Sequence, residues 1–170
     1  LVGSEMCIRD SPHTYQPSTK DIEKMRSADV VLWNGLHLEA QMVDQLSSFG
    51  KRQVAVGDQL PENLLLPWPE KDDEGNALHD PHIWNSPEAW MKAVDSVADK
   101  LAEIDPDNAA TYRANAKAYK EKIAKAADDA DAKLSGIPKP RMLVTGHDAF
   151  NYFGKRFNLE AVSYTHLTLP

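Results

Sequence analysis

Several common architectures are closed to this chain by what it lacks. Its 170 residues include one cysteine, Cys7, so no disulfide can form within it and no cysteine-based metal site can be assembled. No apolar run approaches the ~18 residues needed to span a bilayer as a helix. Basic residues are in deficit, with 19 Lys and Arg against 26 Asp and Glu, giving a net charge of −7. That balance speaks against a nucleic-acid partner, because neutralising phosphates takes clustered Lys and Arg. Low-complexity segments are absent too. So is H-E-x-x-H or any close histidine pair that would place a metal on one helix face.

What remains is a composition suited to one ordinary globular domain with a sizeable core: 42% hydrophobic and 26% charged. Ser18 followed by Asp21 forms a capping-box pattern that opens a helix with Ile22, Met25 and Ala28 on one face. Val30 to Trp33 reads as a short buried strand ended by Asn34-Gly35. A helix is expected from about His37 to Ser48, then a second strand from Gln53 to Val56. Residues 58 to 81 hold four of the chain's 11 prolines and little periodicity, so they read as a long connecting loop. Ser86-Pro87 opens a clear helix, with Trp90, Ala93, Val94, Val97, Leu101 and Ile104 at helical spacing. Asp105-Pro106 repeats that start signal. No Gly or Pro interrupts the run from there to Ser135, and Gly136 is placed to cap it. Tyr112, Ala116, Tyr119, Ile123 and Ala127 would form its inner stripe. Met142 to Val144 is a further short strand, ended by Gly146-His147. A helix carrying Phe150, Phe153 and Phe157 follows. The order is α-β-α-β, long helices, then β-α, which is an α/β pattern interrupted by a helical connector.

Six histidines are present, and two sit in similar phrases. His13 lies in Pro-His-Thr-Tyr-Gln-Pro (12–17) and His82 in Pro-His-Ile-Trp-Asn-Ser-Pro (81–87). Flanking prolines fix φ and exclude helix, so each imidazole stands on a stiff loop. His147 follows a strand and precedes a helix. In open α/β sheets, ligands gather at the carboxyl ends of strands. Three histidines so placed can converge, and neutral imidazole is the commonest metal-binding side chain. Three nitrogens with one carboxylate or water suit Zn²⁺. Spacing alone also allows each histidine to cap its own loop. That second reading is preferred for His37, at a helix start, and for His79, in the loop. His166 lies in the C-terminal tail.

Four phrases resemble the zinc/manganese-type solute-binding proteins of ABC transporters. They are PHTYQPSTKDIEKMRSADVVLWNGLHLE (12–39), DPHIWNSPEAW (80–90), DPDNAATYRANAKAYKEKI (105–123) and VTGHDAFNYFGKRFNLE (144–160), in the family's order and approximate spacing. The DPHIW and HDAF-YF phrases are the specific ones. The resemblance implies a fragment of a two-lobe (β/α) metal-binding protein with one long connecting helix between lobes. It implies His13, His82 and His147 as ligands of a transported Zn²⁺ or Mn²⁺ in the inter-lobe cleft. A fourth, carboxylate ligand is expected beyond the end of this chain. Asp80 and Asp148, beside two of the ligands, are expected to orient imidazoles. The implied function is capture of the metal outside the cytoplasm, periplasmic or anchored on the extracellular face, and delivery to the membrane permease of an ABC importer. The carrier would be a monomer and not an enzyme.

The alternative is a three-histidine hydrolase or lyase with an open water position, in which Asp80 or Asp148 would be the general base. A surface adhesin is a third possibility. Nitrogen donors lean towards zinc over manganese.

The two ends read differently. LVGSEMCIRDS (1–11) and VSYTHLTLP (162–170) resemble translations of sequencing-adapter DNA. The expected organisation is a non-native terminus over 1–11 and an incomplete N-terminal lobe over 12–104. The connecting helix covers 105–136, the start of a C-terminal lobe 137–162, and a second non-native terminus 163–170. Any signal peptide would lie upstream.

Overall fold

The computed structural model describes residues 11–163. Cys7, His166 and nearly all of both unusual terminal strings lie outside them. Three two-stranded sheets and five α-helices, joined by 3₁₀ turns, make up the described residues.

Helix α1 (Thr19–Ser27) begins as its capping box dictates. Ser18 Oγ accepts from the Asp21 amide at 3.3 Å, and an Asp21 oxygen accepts from the Ser18 amide at 2.7 Å. A cap of this kind is worth about 1 kcal/mol. Strands β1 (Val31–Trp33) and β2 (Gln53–Ala55) pair in parallel, Leu32 opposite Val54. Between them the expected helix from His37 is reduced to a 3₁₀ turn at Ala40–Met42 and a short α2 (Val43–Ser47). The cause is local. Leu36 (φ 53°) and His37 (φ 64°) are both left-handed, so the chain turns before it can wind. The Glu39 carboxylate locks that turn, accepting from the amides of Asn34 (2.8 Å) and Gly35 (3.1 Å). Burial pushes the Glu39 pKa up, partly offset by those two amides. Gly35 is required here: its φ is +78°, and a Cβ would lie 2.7 Å from an Asp58 oxygen.

The expected loop over 58–81 contains more structure than its composition suggests. After two 3₁₀ turns, β3 (Pro67–Lys71) and β4 (Ala77–His79) form an antiparallel hairpin with a register shift between Trp68 and Lys71. Proline is compatible with an edge strand, where no ladder amide is needed. Asp72 closes the hairpin, accepting from the amides of Glu74 and Asn76.

Helix α3 (Pro87–Ile104) starts as expected, Ser86 Oγ accepting from the Ala89 amide. Its most deeply buried face is small: Ala89, Ala93, Ala98 and Ala102, with the larger Trp90 and Val97 at the margin of the core. The connecting helix begins with a 3₁₀ turn at Pro106–Asn108 and continues as α4 (Ala109–Ser135), about 40 Å long at 1.5 Å per residue. It packs antiparallel to α3, with Arg113 pairing with Asp99 and Lys120 with Asp95; Ala116 and Ala127 are buried, whereas Tyr119 is exposed. Gly136 does cap it, but in the right-handed region.

Strand β5 (Met142–Thr145) and helix α5 (Asn151–Phe157) are followed by a strand absent from the sequence-based expectation, β6 (Glu160–Ser163). It runs parallel to β5 with Leu143 opposite Ala161 and Thr145 opposite Ser163. The expected boundary between residues 162 and 163 falls inside this strand. Asn158 (φ 54°) ends α5 in a left-handed cap. Among the described residues no helix is long and apolar enough to cross a membrane.

The central core joins the middle of the chain to α5. Val54, Val56, Leu60, Ile83, Ala89 and Ala93 meet Tyr152 of α5. Arg156 fastens α5 from outside, bonding Glu88 of α3 at 2.8 Å and Asp131 of α4 at 2.9 Å.

Candidate metal centre

The loop from Asp80 to Ser86 is the floor of the site. Pro81 keeps it out of helix, and Asp80 bends it: Asp80 Oδ1 accepts from the His82 amide at 2.9 Å, an Asx turn. Ile83, completely buried, anchors the loop in the core. Asn34 ties it to the β1 end by donating to the Pro81 carbonyl at 2.9 Å. His82 is 1% exposed, too enclosed to rotate freely.

The same Asp80 oxygen accepts from His82 Nδ1 at 2.7 Å. This fixes the proton on Nδ1 and leaves the Nε2 lone pair directed away from Asp80. His13 Nε2 lies 3.3 Å from that nitrogen. Two nitrogens about 2.0–2.1 Å from one tetrahedral ion stand about 3.3–3.4 Å apart, so the pair has the spacing of a shared ligand. His147 completes the group. One ligand atom from each of His13, His82 and His147 lies within 4.8 Å of the others. Among the described residues this is the one cluster of three or more metal-ligating side chains that so converge.

Each histidine comes from a different segment. His13 stands on the loop before α1, stiffened where Tyr15 donates to Asp21 at 2.7 Å. That bond and the two from Ser18 hold the Asp21 carboxyl down at about 2. His147 follows β5 and is exposed, so the cluster opens to solvent on that side. Trp68 and Trp84 flank His82 with ring centroids at 5.6 and 5.3 Å. Burial, and then repulsion from His82 and His147, holds the His13 pKa below its ordinary value, which favours the neutral, ligating form.

The two expected orienting carboxylates differ. Asp80 does contact its imidazole and is fully buried. Asp148 accepts instead from the Asn151 side chain at 3.1 Å. His37 and His79 stand apart from the cluster: His37 is exposed on its left-handed turn, and His79 Nε2 pairs with Glu62 at 2.9 Å. Sequence reading passes over Asn34, Tyr152 and Asn151. Tyr152 donates to the Asp80 carbonyl at 2.9 Å and accepts from the Leu66 amide at 3.1 Å. Burial pushes its phenol up to about 12. Asn151 and Tyr152 fall inside the HDAF-YF phrase, the one sequence signal that could have pointed to them.

Comparison with known proteins shows the family. The family model for the periplasmic zinc-uptake complex component A, ZnuA, matches residues 7–168. The manganese-binding lipoprotein MntA of Bacillus subtilis is 41% identical over 152 residues, 88% of this chain and 48% of MntA. The iron-binding protein YfeA of Yersinia pestis is 34% identical over 154 residues, 88% of this chain and 47% of YfeA. The solved periplasmic zinc-binding protein TroA of Treponema pallidum superposes with a TM-score of 0.79 at 32% identity, over 90% of this chain and 54% of TroA. The chain spans about half the length of these curated relatives. With a family model covering nearly its whole length, this chain belongs to the family of the periplasmic zinc-uptake component ZnuA.

Proposed function

We propose that the protein carrying this chain captures a divalent transition metal, zinc or manganese, outside the cytoplasm and delivers it to the membrane permease of an ABC importer. His13, His82 and His147 are the ligands supplied here. The observation that carries the reading is the convergence of three imidazole nitrogens within 4.8 Å, one of them backed by a buried carboxylate. Relatives named for binding manganese, iron and zinc support the cargo class and leave its members to be ranked by experiment. The nitrogen-rich donor set leans towards zinc. The lobes are assigned to residues 12–104 and 137–162, with the connecting helix at 105–136, so that His147 closes on the cleft from the second lobe. The carrier acts as a monomer, in the periplasm or anchored on the outer face, and binds no nucleic acid.

A three-histidine hydrolase or lyase is disfavoured by the same contacts. A general base needs a free oxygen near the reacting water. Asp80 is fully buried, with one oxygen bonded to His82 and the other to Asn151. Titration of the full-length protein with Zn²⁺, Mn²⁺ and Fe²⁺, each by competition against a chromophoric chelator, tests the reading. One equivalent should bind, and His82→Ala should weaken Zn²⁺ binding at least about tenfold. Unchanged binding by that variant would defeat the assignment.

A further inference from the structure

The Asn151 side chain occupies a position that the three ligands do not explain. It is the first residue of α5, half-buried between the loop that carries His82 and the loop that carries His147. Its amide nitrogen lies 3.1 Å from Asp80 Oδ2 and 3.1 Å from Asp148 Oδ1. A primary amide has two N–H donors, and two carboxylates take one each. The reversed orientation would aim the amide oxygen at two acceptors, so the partners themselves fix which atom is nitrogen.

The Asp80 contact matters most. This carboxylate is fully buried, and its other oxygen is committed to the His82 amide and ring nitrogen. An oxygen that lacked a donor here would be drawn towards whatever donor it could reach, and His82 Nδ1 is the nearest. Asn151 satisfies Oδ2 where it stands, which leaves Oδ1 in place for the imidazole. The Asp148 contact works on the other ligand. Asp148 directly follows His147, so a bond from Asn151 fixes the backbone from which that imidazole projects. A third contact between the same loops runs alongside: Asn85 donates to the Ala149 carbonyl at 2.7 Å.

We infer that Asn151 is a positioning residue for the metal site, its one amide group tying the carboxylate behind His82 to the residue that follows His147. The inference rests on the three-histidine reading above. Before any metal arrives, it sets the spacing of two ligands that are 65 residues apart in the sequence. His13 has no such tie among the described hydrogen bonds to the other two loops, apart from its approach to His82.

The test uses the full-length protein with Co²⁺ as probe, because its visible ligand-field bands report the geometry of the donors. Zn²⁺ affinity is read by competition in the same samples. Asn151→Ala removes both donors. It should weaken Zn²⁺ binding about three- to tenfold, somewhat less than loss of a direct orienting partner, and it should shift the Co²⁺ bands. Arg156→Ala is the control. It cuts the other fastening of α5, to Glu88 and Asp131, without touching the site. It should lower thermal stability and leave affinity and spectrum unchanged. Asn151→Ser, which suits a helix start and keeps one donor, covers the case in which Asn151→Ala does not fold. It should give a smaller loss in the same direction. Wild-type affinity and spectrum in a folded Asn151 variant would overturn the inference, as would matching losses in Arg156→Ala. His82→Ala separates the two levels. If it binds Zn²⁺ like wild type, the three-histidine reading fails. If it does not bind while the Asn151 variants do so normally, only the positioning role fails.

Discussion

Replacing Asp80 should damage both the metal site and the fold, and the two losses can be sized separately. In Asp80→Ala, three donors lose their acceptor: the His82 amide, His82 Nδ1 and one N–H of Asn151. His82 is almost fully enclosed, so water cannot easily replace the carboxylate at the first two. Asn151 is only half-buried and keeps Asp148. An orphaned buried donor costs about 1–3 kcal/mol, and the imidazole can relieve one by moving its proton to Nε2, so the fold should lose about 2–4 kcal/mol. That relief is harmful to binding, because it protonates the nitrogen that faces His13. Loss of an orienting carboxylate typically weakens a metal site about 10- to 100-fold, which is about 1.4–2.7 kcal/mol. Asp80→Asn should fall between, since one amide oxygen can still accept from His82 while its NH₂ opposes Asn151. Zn²⁺ competition titrations and urea unfolding of the metal-free protein give the two numbers. Affinities within about twofold of wild type for both variants, far below the usual effect of such partners, would refute the orienting role.

Three further outcomes are expected. His82→Ala should weaken Zn²⁺ binding at least about tenfold, as loss of a ligand or its partner does, whereas His37→Ala and His79→Ala should leave calorimetric titrations unchanged. Tyr152→Phe removes the bonds to the Asp80 carbonyl and from the Leu66 amide, at an expected cost of about 1–3 kcal/mol in denaturant midpoints. Acid should act through two groups. His13 has a lowered folded pKa, so between that value and the unfolded value near 6.5 the unfolded chain binds more protons. The metal-free protein should therefore melt higher at neutral pH than at pH values below that window. Asp21, held at about 2, contributes stability above its unfolded value near 3.8 that is lost as pH falls towards about 2. Asp21→Asn should flatten the pH dependence of the melt in that range, and an unchanged profile would contradict the capping contacts.

Short-range signals account for what the sequence made legible. Ser18 with Asp21, and Ser86 with Pro87, are helix starts written in adjacent residues, and both helices begin there. The prolines around His13 and His82 marked stiff loops, and those loops carry two members of the cluster. The misreadings arose where one particular contact, short-range in the first case and tertiary in the second, decides the backbone. Nothing in the run from His37 to Ser48 reveals that Glu39 folds back onto Asn34 and Gly35 and forces two left-handed residues before α2. The hairpin over 67–79 hides behind two prolines that count against a strand, because proline's position at an edge is a tertiary fact. The stripes expected along α3 and α4 mixed alanines with larger residues, and of these Ala93, Ala116 and Ala127 are buried, whereas Ile104 and Tyr119 are exposed. The most buried positions of both helices are alanines, whose small side chains suit close packing of long helices.

The site was legible as three candidates but not as one geometry, and the reason bears on how it works. His13, His82 and His147 are separated by 69 and 65 residues, and no spacing rule brings such positions together. Their convergence depends on Tyr152 entering the core beside Ile83 and bonding the Asp80 carbonyl. A metal bound there would bridge the loop before α1, the loop before α3 and the loop after β5. Any motion that separates α5 from the 80–85 loop must then break coordination as well as the bonds of Asn151, Tyr152 and Asn85. Bound metal should accordingly raise the free energy of that separation by RT ln(1 + [L]/Kd), about 2.7 kcal/mol at a hundredfold excess over Kd. Under the proposed function, release to a partner would require the reverse. A partner that draws the His147 loop away from His82 would remove one ligand and the ties around it in a single movement, so the polar contacts that preform the site also resist its opening.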